Sequence, residues 1–232
     1  MKTKDISPLG YVDVVGATKA ILPMNDVFIN FTFSNPNRRE ALKQAINLII
    51  EAYQQSNPGT SLKTIEGSIK VRTQYQYFLS TDKEATKSMD LEITAENGSR
   101  KYVEFQSQID AGMATRAVDY LLLSQINRKP ADNIWLLADD VDALLNGKTF
   151  SRFVYRDEDT GKELPNGPGN LYVSLTGLAK LSTPAGELAA FLLGRTTDPK
   201  DESVKEIAET FKASFIEFSR DTDAARALSR QV

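Results

Sequence analysis

The chain has 232 residues, 41% hydrophobic and 25% charged, with 28 Lys and Arg against 31 Asp and Glu, a net charge of −3. That composition suits a globular protein with a sizeable core and excludes the strongly basic footprint of many nucleic-acid binders, though not a local basic groove. There is no Cys and no His, so disulfides, thiolate metal sites and Ser-His-Asp or Cys-His catalysis are excluded; an enzyme made from this chain works with carboxylates, amides, Lys or Tyr, and its metal is a hard ion such as Mg²⁺ or Mn²⁺.

Taken in order, residues 1 to 20 read as an extended arm or short strand, with Pro8, Gly10 and Gly16 among scattered apolar positions. Met24 to Phe33 is aromatic and β-branched and reads either as a strand or as a short helix packing Val27, Phe28 and Phe31; Asp26 is its one charge, by default a turn or cap residue. Asn35-Pro36 predicts a helix start, with Asn at the N-cap and Pro at the first helical position. Leu42, Ile46, Ile49, Ile50 and Tyr53 follow at helical spacing, and Asn57-Pro58-Gly59 ends the run. Arg38, Arg39 and Lys43 are expected on its solvated face.

Gln74 to Phe78 reads as a polar-aromatic strand or loop, and Thr81 to Ser88 as a loop. Met89 to Gln108 is the stretch with chemistry in it. Two alternating runs flank Asn97-Gly98, a dipeptide that accepts the positive φ angles of a type I′ hairpin turn. Asp90 opens the first run, and Glu104, Gln106 and Gln108 occupy alternate positions, hence one face, of the second. Counted outward from the turn, Asp90 and Glu104 fall at comparable heights, within a register slip. Two carboxylates that close repel unless they share a proton or a cation. A Mg²⁺ ion needs one or two of them, the carbonyl of Phe105 would lie beside it, and Gln106 can orient a water without ionising. The alternative is an amphipathic strand with a solvated polar face, Asp90 serving as a cap. Glu92 shares the face of Asp90 and is either bulk-facing or site-facing.

Ala114 to Asn127 predicts a helix with Met113, Ala117, Tyr120, Leu121 and Ser124 on one face, widened by Val118, Leu122 and Leu123; Arg116 and Tyr120 are neighbours four apart. Asn133 to Ala138 suits a buried strand, giving strand, strand, helix, strand with a crossover. A short helix is expected around Val141 to Leu145. Phe150 to Arg156 and Leu171 to Leu175 read as strands that pair across a turn-rich loop. Thr183-Pro184 opens a helix ended by Gly194. After a polar linker, Val204, Ile207, Ala208, Phe211, Phe215 and Phe218 stripe the last long helix, and a short helix or tail follows. The organisation expected is an α/β domain over 1–195 and a helical C-terminal extension over 196–232. No run of about 18 apolar residues occurs and the N-terminus lacks a signal-peptide core, so a cytoplasmic protein without a membrane span is expected.

The run from Asp90 through Glu104-Phe105-Gln106, followed by Arg116 and Tyr120, resembles the PD-(D/E)XK nucleases, and within them the PD-(D/E)XK nuclease family transposases related to the Rpn-like recombination-promoting nucleases. There a Glu-x-Gln stands in place of the usual Glu-x-Lys. Asn25-Asp26 with the following run Val27 to Phe33 resembles the family's Asp-x-x-Phe segment, and Asn133 to Ala138 its next core strand. The likeness covers roughly residues 20 to 195. It implies a restriction-endonuclease-like fold, a mixed sheet flanked by helices, and a Mg²⁺- (or Mn²⁺-) dependent endonuclease acting on DNA, of the kind linked to mobile elements or recombination. Asp90 and Glu104, with the Phe105 carbonyl, would hold the metal; Gln106 takes the lysine's place; Asp26 supports the metal or its shell. Arg116 and Gln108 would meet the substrate, the ordinary role for Arg116 being an ion pair with Asp110 or Asp119. Two other classes stand beside it: a nuclease fold that binds DNA or protein without cleaving, and a homo-oligomer joined through the Phe-rich C-terminal helix.

Overall fold

The computed structural model describes residues 7–14, 17–78, 86–107, 112–126, 131–138, 145–163 and 167–229. Its centre is a mixed six-stranded sheet in the order β3-β4-β5-β6-β8-β7. The strands are β3 (Ile69–Phe78), β4 (Thr86–Ala95), β5 (Arg100–Gln106), β6 (Asp132–Leu137), β7 (Phe150–Val154) and β8 (Gly169–Ser174). β3, β4 and β5 run antiparallel, β5, β6 and β8 run parallel, and β7 returns antiparallel to β8. A separate hairpin joins β1 (Gly10–Val14) and β2 (Ala17–Ile21).

Register divides the sheet into two faces, because paired residues point the same way and alternate residues point apart. One face carries Leu91, Ile93, Val103, Phe105, Ile134, Leu136, Leu171 and Val173, all in the larger core. Helices α1 (Asp26–Ser34), α2 (Arg39–Ser56), α4 (Leu175–Leu178), α5 (Pro184–Leu192) and α6 (Glu202–Phe218) contribute to that core. The other face carries Glu92, Tyr102, Glu104, Asn133, Trp135 and Tyr172. It is covered by α3 (Met113–Ile126), whose Met113, Ala117 and Tyr120 pack with Tyr102, Trp135 and Tyr172 in a smaller core. Beneath α3, Asn133 donates to Asn170 at 2.7 Å, and Asn170 donates to the Ala117 carbonyl at 3.3 Å.

Local chemistry explains the boundaries. Met24 to Phe33 resolves as a helix because Asn25 caps it: its Oδ1 accepts from the Phe28 N–H, Asp26 occupies the first turn, and Phe28, Ile29, Thr32 and Phe33 fall on one buried side. Asn35-Pro36 does start a helix, through one 3-10 turn, Pro36–Arg38, that runs into α2. Thr183 caps α5 as expected. The polar-aromatic run is strand, so β3 and β4 form a longer ladder than the sequence suggested, and β4 begins at Thr86, inside the expected loop.

The turn at Asn97-Gly98 is corrected in type. Only Gly98 has positive φ, at 82°. Its N–H donates to the Ala95 carbonyl at 2.9 Å, and the Ala95 N–H to the Ser99 carbonyl at 2.9 Å. This is the three-residue loop with a left-handed glycine bulge, rather than type I′, which needs positive φ at both central residues.

Arg38 is a second correction: it is buried, bound to Ser214 at 2.9 Å and to Glu217 at 2.5 Å, and so pins α2 to α6. On α3, Val118 and Leu122 face outward rather than widening the buried side. Asn127, Val141 to Leu144 and residues 81 to 85 of the expected loop lie outside the described residues.

The final helices, α6 and α7 (Thr222–Ser229), close on the larger core. Phe211 meets Phe28, Phe33 and Phe191 edge-on at 5.9, 5.5 and 5.5 Å, and Phe218 meets Phe28 and Phe31 at 5.2 Å. The phenylalanine stripe is thus occupied by the chain's own α1 and α5.

Candidate functional site

The parallel strands end together at Gln106, Leu137 and Ser174, and the carboxyl ends of such strands are where α/β sheets place their ligand sites. The β4–β5 ladder stops at Leu91↔Val103, one step short of Asp90 opposite Glu104. At that step the Asp90 side chain replaces strand backbone: its Oδ2 accepts from the Phe105 N–H at 2.8 Å. The N–H and C=O of one extended residue point the same way, so the Phe105 carbonyl also faces Asp90. The expected height match of Asp90 and Glu104 is therefore produced by strand register, and it sets the Phe105 carbonyl next to them.

Glu104 is 8% exposed and Asp90 is half-buried. Burial first, and then the charge of Asp90, push the Glu104 carboxyl up to about 9. Burial, opposed by the Phe105 N–H and reinforced by the charge of Asp26, raises Asp90 to about 6. The two carboxyls hydrogen-bond each other, which holds a proton between them. The Oε1 of Glu104 is buried with no hydrogen-bond partner.

Asp26 enters from the first turn of α1, at the rim, where it keeps an exposed edge; its partial removal from water raises its carboxyl above the ordinary value. Arg116, half-buried on α3, donates from NH2 to the Gln106 Oε1 at 3.2 Å, and its charge acts downward on the pKa of Asp90, Glu104 and Tyr120. Tyr120 is both core and site. It stacks on Trp135 at 5.8 Å, hydrogen-bonds Glu104, and is raised above the usual phenol range, by burial first and then by the Glu104 charge.

Asp90, Glu104, Phe105, Gln106, Arg116, Tyr120 and the more peripheral Asp26 thus converge from β4, β5, α1 and α3. Gln108 and Asp110 lie outside the described residues. Glu92 is apart from this group: it is 2% exposed, with Arg72 and Arg100 each 3.6 Å away.

Among the described residues, no group of three or more His, Cys, Asp or Glu is arranged to hold a metal ion. A hard divalent ion does not need three, since Mg²⁺ keeps several waters and takes one or two carboxylates. Two adjacent carboxyls, one with an unpartnered buried oxygen, beside a carbonyl form an all-oxygen donor set of that kind.

Sequence reading passed over an ionic cluster at the other end of the sheet. Lys101 on β5 and Asp132 on β6 are paired in register and 2.5 Å apart, Arg152 on β7 reaches Asp132 at 3.3 Å, and Glu163 joins Arg152 at 3.3 Å. The signal was the alternation: Lys101 shares its face with Val103 and Phe105, where a lysine must be explained.

No helix among the described residues is long and apolar enough to cross a membrane. No protein-family profile, no curated protein and no solved structure matches this chain.

Proposed function

We propose that this chain is a Mg²⁺- or Mn²⁺-dependent endonuclease that hydrolyses DNA phosphodiester bonds, built on a restriction-endonuclease-like PD-(D/E)XK core of the kind linked to mobile elements or recombination. The observation that carries the reading is the Asp90–Glu104 pair, buried beside Arg116, with a carboxylate oxygen left without a partner. Such a pair is costly for the fold in any role that does not use it.

Asp90, Glu104 and the Phe105 carbonyl are the residues that would hold the metal, Asp90 being oriented by the Phe105 N–H. A bound Mg²⁺ would supply an acidified water and a positive charge toward the phosphate. Glu104 would have to be deprotonated to hold the ion. Arg116 would meet the phosphate, its guanidinium held by the Gln106 carboxamide; Arg suits phosphate because its donors form a rigid fork. Gln106 supplies hydrogen bonds but no charge, so the positive charge that a lysine would bring falls to Arg116. Asp26, at the rim, supports the ligand shell.

The purified protein is expected to nick supercoiled plasmid DNA with Mg²⁺ or Mn²⁺, and EDTA to stop it. Asp90→Ala and Glu104→Ala should each lose more than the roughly 10- to 100-fold that removal of an outer-shell partner costs. Wild-type cleavage by both variants would refute the assignment.

One observation favours a second reading, a nuclease fold that binds DNA or protein without cutting it: the neutral Gln106 is already engaged by Arg116. A gel-mobility shift with no cleavage, unchanged by Glu104→Ala, is its signature.

A further inference from the structure

At the amino ends of the parallel strands, opposite the carboxylate pair, lies a cavity of about 330 Å³. The loop at residues 61–66, the hairpin turn with the start of β5, and the start of β6 form its walls, together with Arg152 of β7 and residues 167–168. Four cationic side chains line it, Lys63, Arg100, Lys101 and Arg152, against two carboxylates, Glu66 and Asp132. Two of these cations are shared with carboxylates outside the lining, Arg100 with Glu92 at 3.6 Å and Arg152 with Glu163 at 3.3 Å.

Asp132 is already committed. It accepts from Lys101 at 2.5 Å, from Arg152 at 3.3 Å and from the Gly169 N–H at 3.2 Å. Lys101 and Arg152 have side chains only 7% and 3% exposed, yet ammonium and guanidinium carry more donors than this one carboxylate accepts. The buried Nε of Arg152 has no hydrogen-bond partner. Lys63 is exposed and has no hydrogen-bond or ion-pair partner among the described residues. Ser61, Thr64 and Ser99 add hydroxyls, and no aromatic ring lines the cavity.

The geometry points to a second binding site, one for a small phosphorylated anion without an aromatic ring, such as a phosphate monoester of a polyol or a pyrophosphate. Donors from several walls suit a tetrahedral dianion, which accepts from many directions. A cavity at the lower end of the ligand-site range, with no face on which a base could stack, excludes a nucleobase as the recognised part. The site stands apart from the proposed nuclease chemistry, and no cleavage assay is needed to test it.

Isothermal titration of the full chain at about 0.15 M salt, with pyrophosphate, glycerol 3-phosphate and citrate in turn and no divalent ion present, is the experiment. A phosphorylated ligand should bind saturably, one per chain, and raise the melting temperature. Lys63→Glu, an exposed change that leaves the fold intact, should weaken binding by roughly tenfold or more, and Lys63→Arg should restore it. Asp90→Asn should bind as the wild type does. Absence of saturable binding by both phosphorylated ligands would overturn the proposal, as would equal binding by Lys63→Glu. Loss of binding in Asp90→Asn would assign the heat to the other end of the sheet. Citrate binding as tightly as pyrophosphate would overturn the phosphoryl assignment.

Discussion

The proton shared by Asp90 and Glu104 makes this protein's stability depend on pH in a direction opposite to that given by salt-bridged carboxylates. Both groups titrate higher in the folded chain, near 6 and near 9, than ordinary carboxyls do. Below about pH 4 both states are protonated and nothing is lost. As pH rises the unfolded chain ionises first and binds fewer protons than the folded one, so stability falls from about pH 4 until the Glu104 carboxyl has titrated near 9. Thermal melts of the metal-free protein should therefore drop between pH 5 and pH 9, beyond the drift shown by Glu104→Gln, whose melting temperature should exceed the wild type's at pH 8. For a chain this long, each 1 kcal/mol recovered is worth about 2–4 °C. Identical pH profiles for the two proteins would show that the pair does not share its proton in solution. Much of this site was legible beforehand. Alternation puts Glu104 and Gln106 on one face, but the pairing of Asp90 with Glu104 needs the extra residue of the three-residue loop, since a type I′ turn at Asn97-Gly98 would set Asp90 opposite Phe105. Glu92 was not legible, because two-residue periodicity gives it the same face as Asp90; its separation depends on Arg72 and Arg100, which cross from β3 and from the far side of the turn.

Among the elements, α6 carries a sharp contrast between nearby positions. Phe211 is 2% exposed among Phe28, Phe33 and Phe191, whereas Ile216, five residues on, is 53% exposed. Phe211→Ala should cost about 3–5 kcal/mol in urea denaturation, while Ile216→Ala should stay within about 0.5 kcal/mol. Comparable losses at both would mean that the exposed side of α6 is covered in solution. The helix termini were the easiest features to read, since Asn35-Pro36, Thr183-Pro184 and Gly194 act through local hydrogen bonds and fixed dihedrals that need no tertiary partner. Arg38 could not be read the same way: its burial depends on Ser214 and Glu217, far along the chain. The helical state of Asp26–Ser34 was ambiguous because its apolar and aromatic side chains suit a strand equally well until Asn25 caps the backbone.

For the molecule as a whole, the larger core includes residues from β1 to α7, so the final helices share apolar contacts with the sheet's own helices. Cutting the chain after residue 195 strips Phe211, Phe215 and Phe218 from Phe28. The truncated protein should be aggregated or partly unfolded by circular dichroism and size-exclusion chromatography. A soluble, folded monomer of that length would show that the remaining chain closes its core alone. This dependence was hidden in the sequence, where the polar run from Thr196 to Asp201 reads as a linker; the Lys200 and Asp201 N–H groups instead bind Glu187 of α5 at 2.7 and 2.8 Å.

The chain's single tryptophan, Trp135, is fully buried between Tyr120 and Tyr172, with ring centroids at 5.8 and 6.0 Å. Tyr120 in turn touches Glu104, whose register partner on β6 is Trp135 itself. The protein consequently has an intrinsic optical probe one side chain from the place where a cation would sit. Titration with paramagnetic Mn²⁺ should quench the indole emission saturably in the wild type and leave Glu104→Gln unquenched over the same range. Binding could then be followed with no DNA present, and separately from any turnover.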